Sequence, residues 1–251
     1  MMKLLKYEWK RNANTLLSVF FVLIVAQIAV ATVGHYRNWM DAAIVTLAIM
    51  IYVAAAMIMI VTVSKTFGYN IRAYHRRLLP VHPVWAILSP LLLSWLVLIV
   101  LLGIIAIHGG LYIQFLGYPL GLDQPMSSLA IGDWLLVVGQ IAWLYTLLIV
   151  MVFVSMLIGA SVSIRGKLGT WVSILAFFIV QYVISWVENL FFKDIDTSAF
   201  MFGVFEAESG SVTVETGGFN FLAWGPFLFE LSVVCLFVWL MSYLLKRRVE
   251  I

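Results

Sequence analysis

SKTFGYNIRAYHRRLLPVHP, residues 64–83, is the longest polar interruption on the basic side of an otherwise apolar chain. Lys65, Arg72, Arg76 and Arg77 crowd into it, and Pro80 and Pro83 close it. At helical spacing Phe67, Ile71, Tyr74 and Leu78 fall on one stripe, and Arg72, His75 and Arg76 on another. That pattern predicts a short amphipathic helix. Two roles fit it: a docking element for a cytoplasmic partner, or a basic loop that fixes orientation in a membrane.

The surrounding composition makes a membrane unavoidable. Of 251 residues, 64% are hydrophobic and 11% charged, and the mean hydropathy is +1.06. Soluble domains carry about 25% charged residues, so this chain cannot cover itself against water. Cys235 is the single cysteine, which excludes an internal disulfide and a thiolate cluster. The basic residues lie beside apolar runs, where a lipid surface explains them better than a nucleic acid.

Outward from residues 64–83, the apolar runs predict an all-α protein of six transmembrane helices in a single transmembrane domain, residues 1–251. The expected spans are residues 15–33, 42–63, 84–107, 133–162, 170–187 and 221–245. The first run exceeds the h-region of a signal peptide, about 7–15 residues, and is read as a retained span. Residues 1–14 place Lys3, Lys6 and Lys10 apart from Leu5 and Trp9, with Glu8 and Arg11 as an i,i+3 pair. They read either as an amphipathic helix lying in the interface or as a basic start that only sets topology. Residues 108–132 hold Gly109, Gly110, Pro119, Gly121 and Pro125, which predict a loop. Pro90 lies near the start of the third span, where proline is best tolerated. Ser155, Gly159 and Ser163 form a small-xxx-small series for close helix packing, within or between subunits. In the acidic region 188–220, Val212 and Val214 alternate with Ser211, Thr213 and Glu215, which hints at a strand or hairpin.

Sorting the charges gives the orientation. Lys3, Lys6, Lys10, Arg11, Lys65, Arg72, Arg76, Arg77, Arg165, Lys167, Lys246, Arg247 and Arg248 collect on one side, and only Arg37 and Lys193 on the other. By the positive-inside rule both termini are expected in the cytoplasm, with residues 188–220 outside. Trp9, Trp39, Trp85, Trp134, Trp171, Trp186 and Trp224 mark span ends as an aromatic belt. Trp95, Trp143 and Trp239 lie deeper, for helix packing or for an apolar cavity.

The chain carries no HExxH, no GxSxG and no Walker A sequence. His35, His75, His82 and His108 fall in or beside the expected loops, and none forms a mid-membrane pair. Glu230 is the acid well inside a span, on the order of 13 Å from its outer end. A charged carboxylate at the centre of a span costs roughly 2.5–3.5 kcal/mol on insertion scales. It therefore serves either a substrate or a proton, or a structural hydrogen bond to another span through Gln140 or Gln181.

The layout resembles the membrane subunit of an ABC-2-type ATP-binding cassette exporter, small bacterial six-span type. The corresponding parts are the basic segment 1–14, which opens MKLLKYEWKR from Met2, the cytoplasmic segment 64–83, the short turn 164–169 and the outer region 188–220. The resemblance is architectural and covers essentially the full length. It implies a coupling helix in which Phe67, Ile71, Arg72, Tyr74, His75, Arg76 and Leu78 dock on a separate cytoplasmic ATPase, present in two copies. It also implies a second, identical or related permease. No catalytic residue, metal or cofactor is expected on this chain; ATP and Mg would be bound by the partner ATPase. The expected home is a bacterial cytoplasmic membrane, and the expected substrate class is hydrophobic or amphipathic, such as an antibiotic or antimicrobial peptide. Competing readings are a membrane-embedded protease or lipid-modifying enzyme using Glu230 or Glu188, a non-transporting scaffold or sensor subunit, and a secondary transporter, which the lack of an inverted repeat disfavours.

Overall fold

A computed structural model of the chain describes residues 2–72, 83–116, 131–161, 168–192, 205–208, 211–214 and 224–247. Along them run helices α1 (Met2–Tyr36), α2 (Asp41–Arg72), α3 (Pro83–Leu116), α4 (Ile131–Ser161), α5 (Leu168–Phe191) and α6 (Trp224–Arg247). All 6 are long and apolar enough to cross a membrane. The protein is a multi-pass membrane protein. Between α5 and α6 lies an antiparallel pair, β1 (Phe205–Glu208) and β2 (Ser211–Val214), with Phe205 opposite Val214 and Glu208 opposite Ser211. The alternation of Val212 and Val214 with polar residues matches this hairpin.

The helices of the first half are longer than the expected spans. Instead of a separate interfacial helix, residues 2–14 are the opening turns of α1. The reason is local: no glycine or proline separates them from the span, and the Asn12 amide donates to the Glu8 carbonyl at 2.8 Å, inside the helix. Helix α2 runs nine residues beyond position 63, to Arg72, so the first part of segment 64–83 belongs to it. Helix α3 begins at Pro83, a first-turn position that loses no hydrogen bond. It then continues through Pro90, Gly109 and Gly110 to Leu116, where a loop was expected from residue 108. A glycine costs a helix only about 1 kcal/mol. An unsatisfied backbone group in lipid costs several times that, so the helix persists.

The chain divides into two compact units, Met1–Gln124 and Pro125–Ile251. In the first, α1, α2 and α3 pack pairwise around Leu16, Phe20 and Leu23 of α1, Ala55 and Met59 of α2, and Val97 and Leu101 of α3. These recur every three or four residues, so each helix turns one stripe inward. Gln27 lies on the α1 stripe, buried, and its amide donates to the Ala48 carbonyl of α2 at 3.0 Å.

In the second unit α4 packs against both α5 and α6, with Ile149, Val150, Phe153, Val154 and Leu157 buried. A Cβ on Gly159 would overlap Ser173 Oγ and come within 2.5 Å of the Gly169 carbonyl oxygen. Gly159 thus lets α5 approach α4 within one chain, while Ser155 is buried with its hydroxyl donating to the Met151 carbonyl of its own helix. Ser163 lies outside the described residues. Phe192, just past α5, stacks edge-on against Phe229 and closes over Gly225 of α6.

Candidate functional site

At the basic end of the first unit a carboxylate is enclosed among three helices. Glu8 of α1 is 0% exposed. Asn70 Nδ2 of α2 donates to its Oε1 at 2.6 Å, and Ser89 Oγ of α3 donates to its Oε2 at 2.6 Å. One turn further along α1, Asn12 Nδ2 donates to Thr66 Oγ1 at 2.9 Å, and the Thr66 hydroxyl donates to the Thr62 carbonyl. Asn70, Thr66 and Ser89 are all buried.

The geometry follows from spacing. Glu8 and Asn12 are four apart on α1, and Thr66 and Asn70 four apart on α2, so each pair shares a face and the antiparallel helices match rung for rung. The same α1 stripe continues into Leu16, Phe20 and Leu23. A carboxylate moved into this interior requires compensation, and hydrogen bonds from two other helices to its two oxygens supply it.

Asn70 stands two residues before the end of α2, and Ser89 six residues after the start of α3. Glu8 therefore ties together the two helix ends from which segment 73–82 departs. Arg11 turns elsewhere: its guanidinium carbon lies 4.3 Å from the centre of the Tyr69 ring. The i,i+3 pairing of Glu8 with Arg11 read from sequence gives way to these two separate contacts.

Phe67 and Ile71, two of the expected docking residues, are 0% and 7% exposed and lie inside the unit. They anchor the end of α2 rather than offer a surface. Arg72 is the last residue of α2, and Tyr74, His75, Arg76 and Leu78 lie outside the described residues.

Glu230, half-buried on α6, meets Trp143 of α4, whose indole Nε1 donates to Oε2 at 2.5 Å. The expected amide partners are replaced. Gln140 sits one turn from Trp143 on the same helix, and Gln181 is exposed on α5. The Trp143 ring also packs at 4.9 Å on Phe227, which precedes Glu230 by one turn. An indole is large enough to bridge α4 and α6 and carries one donor for the carboxylate. Trp95 and Trp239 are 40% and 66% exposed, and the Trp239 ring stacks on Tyr243 one turn along α6.

At the other end of the first unit, a cavity of about 310 Å³ is lined by Gly34, His35, Asn38, Trp39, Asp41 and Tyr112. Asn38 adopts a left-handed φ of 51°, which lets Trp39 N–H return to the Gly34 carbonyl at 2.9 Å and turns α1 into α2. Near it the Tyr52 hydroxyl and His108 Nδ1 lie 2.8 Å apart, joining α2 to α3. Among the described residues no group of three or more His, Cys, Asp or Glu side chains is placed to hold a metal ion.

From sequence Glu8 reads as half of a local charge pair, and that pairing names none of Asn12, Thr66, Asn70 and Ser89 as its neighbours. The signal was present: polar residues standing on the stripe that is apolar elsewhere in the helix. No protein-family model, curated protein or solved structure matches this chain.

Proposed function

We propose that this chain is the membrane-spanning permease subunit of an ATP-binding cassette exporter of the ABC-2 type. It lies in a bacterial cytoplasmic membrane with both termini inside, and two copies of a cytoplasmic ATPase drive it. The ATPase holds ATP and Mg, and this chain performs no hydrolysis. A second permease, identical or related, completes the pathway for a hydrophobic or amphipathic substrate, with antibiotics and antimicrobial peptides as the favoured class.

The observation that carries this reading is the Glu8 joint. A segment that receives force from a partner needs a base that passes the force on. Residues 73–82 depart from two helix ends joined through one buried carboxylate to a third helix. Arg72, Tyr74, His75, Arg76 and Leu78 then remain as the docking set, and Phe67 and Ile71 serve as its buried footing. The thirteen basic residues of one face, against two on the other, support the orientation.

The test is co-expression with an ATP-binding-cassette ATPase encoded beside this chain. The two should co-purify, and charge reversal at Arg72 and Arg76 together should abolish ATP-driven transport while thermal unfolding of the spans is unchanged. Full transport by the double variant removes the docking role of those arginines. Failure of any ATPase to crosslink to the chain in native membranes removes the permease reading.

A further inference from the structure

The cavity at the turn from α1 into α2 takes no part in the Glu8 joint, yet its wall is chemically selective. Its volume of about 310 Å³ is enough for a small organic molecule. Asp41 supplies the one formal charge of the lining, which holds no lysine or arginine. His35, Trp39 and Tyr112 bring three aromatic rings to the same space, and Asn38 brings an amide. Among the described residues the Asp41 side chain has no hydrogen-bond or ion-pair partner. Asp41 and Trp39 are both exposed, so a solute reaches them directly. Arg37, also exposed, lies outside the lining.

All three helices of the first unit hold this wall in shape. Asn38 at a φ of 51° and the Trp39 N–H bond to the Gly34 carbonyl fix the turn that carries Asn38, Trp39 and Asp41. Ile44 of α2 packs so closely on Gly34 of α1 that an added Cβ would lie 2.8 Å from it. On α3, Tyr112 stands one turn beyond His108 and meets its ring edge-on at 6.5 Å. His108 Nδ1 is tied in turn to the Tyr52 hydroxyl of α2 at 2.8 Å. The rings are thus braced from behind, which lowers the cost of ordering them around a ligand.

We propose that this cavity binds a small organic ammonium ion of about the size of choline, with Asp41 as its counter-charge and Trp39 and Tyr112 as the rings beside it. A carboxylate among aromatic rings selects a cation with apolar substituents, because the rings attract its charge and also cover its alkyl groups. An anion would meet Asp41 with no cation in the lining to offset it. A bare metal ion would find a single carboxylate where it needs several ligands. The ammonium group belongs to a free amine or to a lipid headgroup, and both present the same chemistry to the cavity. The site does not depend on the transport reading.

The test measures equilibrium binding of choline to the full-length protein in neutral detergent, with dimethylbutanol, the uncharged carbon analogue of choline, as the comparison. Choline should saturate one site below about 10 mM, and dimethylbutanol should bind about tenfold more weakly. Asp41→Asn should weaken choline binding about tenfold and remove the preference over dimethylbutanol. Trp39→Leu, a change at a side chain 42% exposed, should weaken it about fivefold, and it stands in if Asp41→Asn does not fold. Tyr112→Phe, which keeps the ring, should stay within about twofold of the unaltered protein. Phosphatidylcholine added to the micelles separates the two sources. Displacement of bound choline assigns the site to a lipid headgroup, and retention of choline assigns it to a free amine. Absence of saturable choline binding, equal binding of choline and dimethylbutanol, or unaltered binding by Asp41→Asn or Trp39→Leu overturns the proposal.

Discussion

Ser89 Oγ and Glu8 Oε2 meet at 2.6 Å across 81 residues of sequence, in a place where neither is exposed. Glu8→Ala would remove the acceptor of the Asn70 and Ser89 hydrogen bonds, at about 1–3 kcal/mol each. Thermal unfolding in detergent should show a loss of several degrees for Glu8→Ala and a smaller one for Glu8→Gln, which keeps the shape and one acceptor. The Asn70→Ala and Ser89→Ala losses should combine non-additively, because they serve one carboxylate. Additive losses would show that the three side chains do not act as one joint.

Gly159 and Gly103 make a paired test of helix packing. Gly159→Ala forces a Cβ into Ser173 and the Gly169 carbonyl, so α4 and α5 must separate. Overpacking of this kind costs about 1–3 kcal/mol. Gly103→Ala meets nothing within 4 Å on α3. It should be neutral or stabilising by up to about 1 kcal/mol, through helix propensity. Unfolding midpoints of the two variants should therefore move in opposite directions, or only the first should move.

Trp143→Phe keeps an aromatic ring against Phe227 and removes the donor to Glu230. An unmet carboxylate should cost about 1–3 kcal/mol, measured as a drop in unfolding midpoint. Glu230→Gln, which can still accept from the indole, should unfold closer to wild type. If it nevertheless lowers substrate-stimulated ATPase activity of the assembled complex, Glu230 has a task besides bracing α4 against α6. Wild-type activity across pH makes it a bracing residue alone.

Membrane sidedness is open to direct labelling. Cys235 is the single cysteine and is exposed on α6, so Cys235→Ser gives a clean background. A cysteine introduced at Lys246 should react with an impermeant maleimide only after cells are opened, and one at Arg37 should react in intact cells. The reverse pattern would invert the orientation read from the basic residues.

The six spans were legible because each is a long apolar run, and no water-soluble arrangement could bury so many. The hairpin before α6 was legible in the alternation around Val212. Helix ends were not. Gly109 and Gly110 read as breakers, yet a backbone next to lipid keeps its hydrogen bonds and carries α3 through them. The partners of Glu8 and Glu230 were also beyond the sequence, since Asn70, Ser89 and Trp143 are brought to them from 62, 81 and 87 residues away. Phe67 and Ile71 lie on an apolar stripe that spacing alone reveals, but spacing does not distinguish a stripe buried inside the unit from one offered to a partner.

Helix α1 is one unbroken rod of 35 residues with Glu8 near one tip and Gly34 and His35 at the other. About 40 Å of continuous backbone hydrogen bonds separate the carboxylate joint from the cavity beside Trp39 and Asp41, with no hinge between. A rod of that stiffness turns as a whole. Any rotation that draws Glu8 away from Asn70 and Ser89 swings His35 through the same angle and reshapes the cavity wall. One continuous helix thus supplies both a wall of the cavity and the carboxylate of the joint at the far end of the first unit.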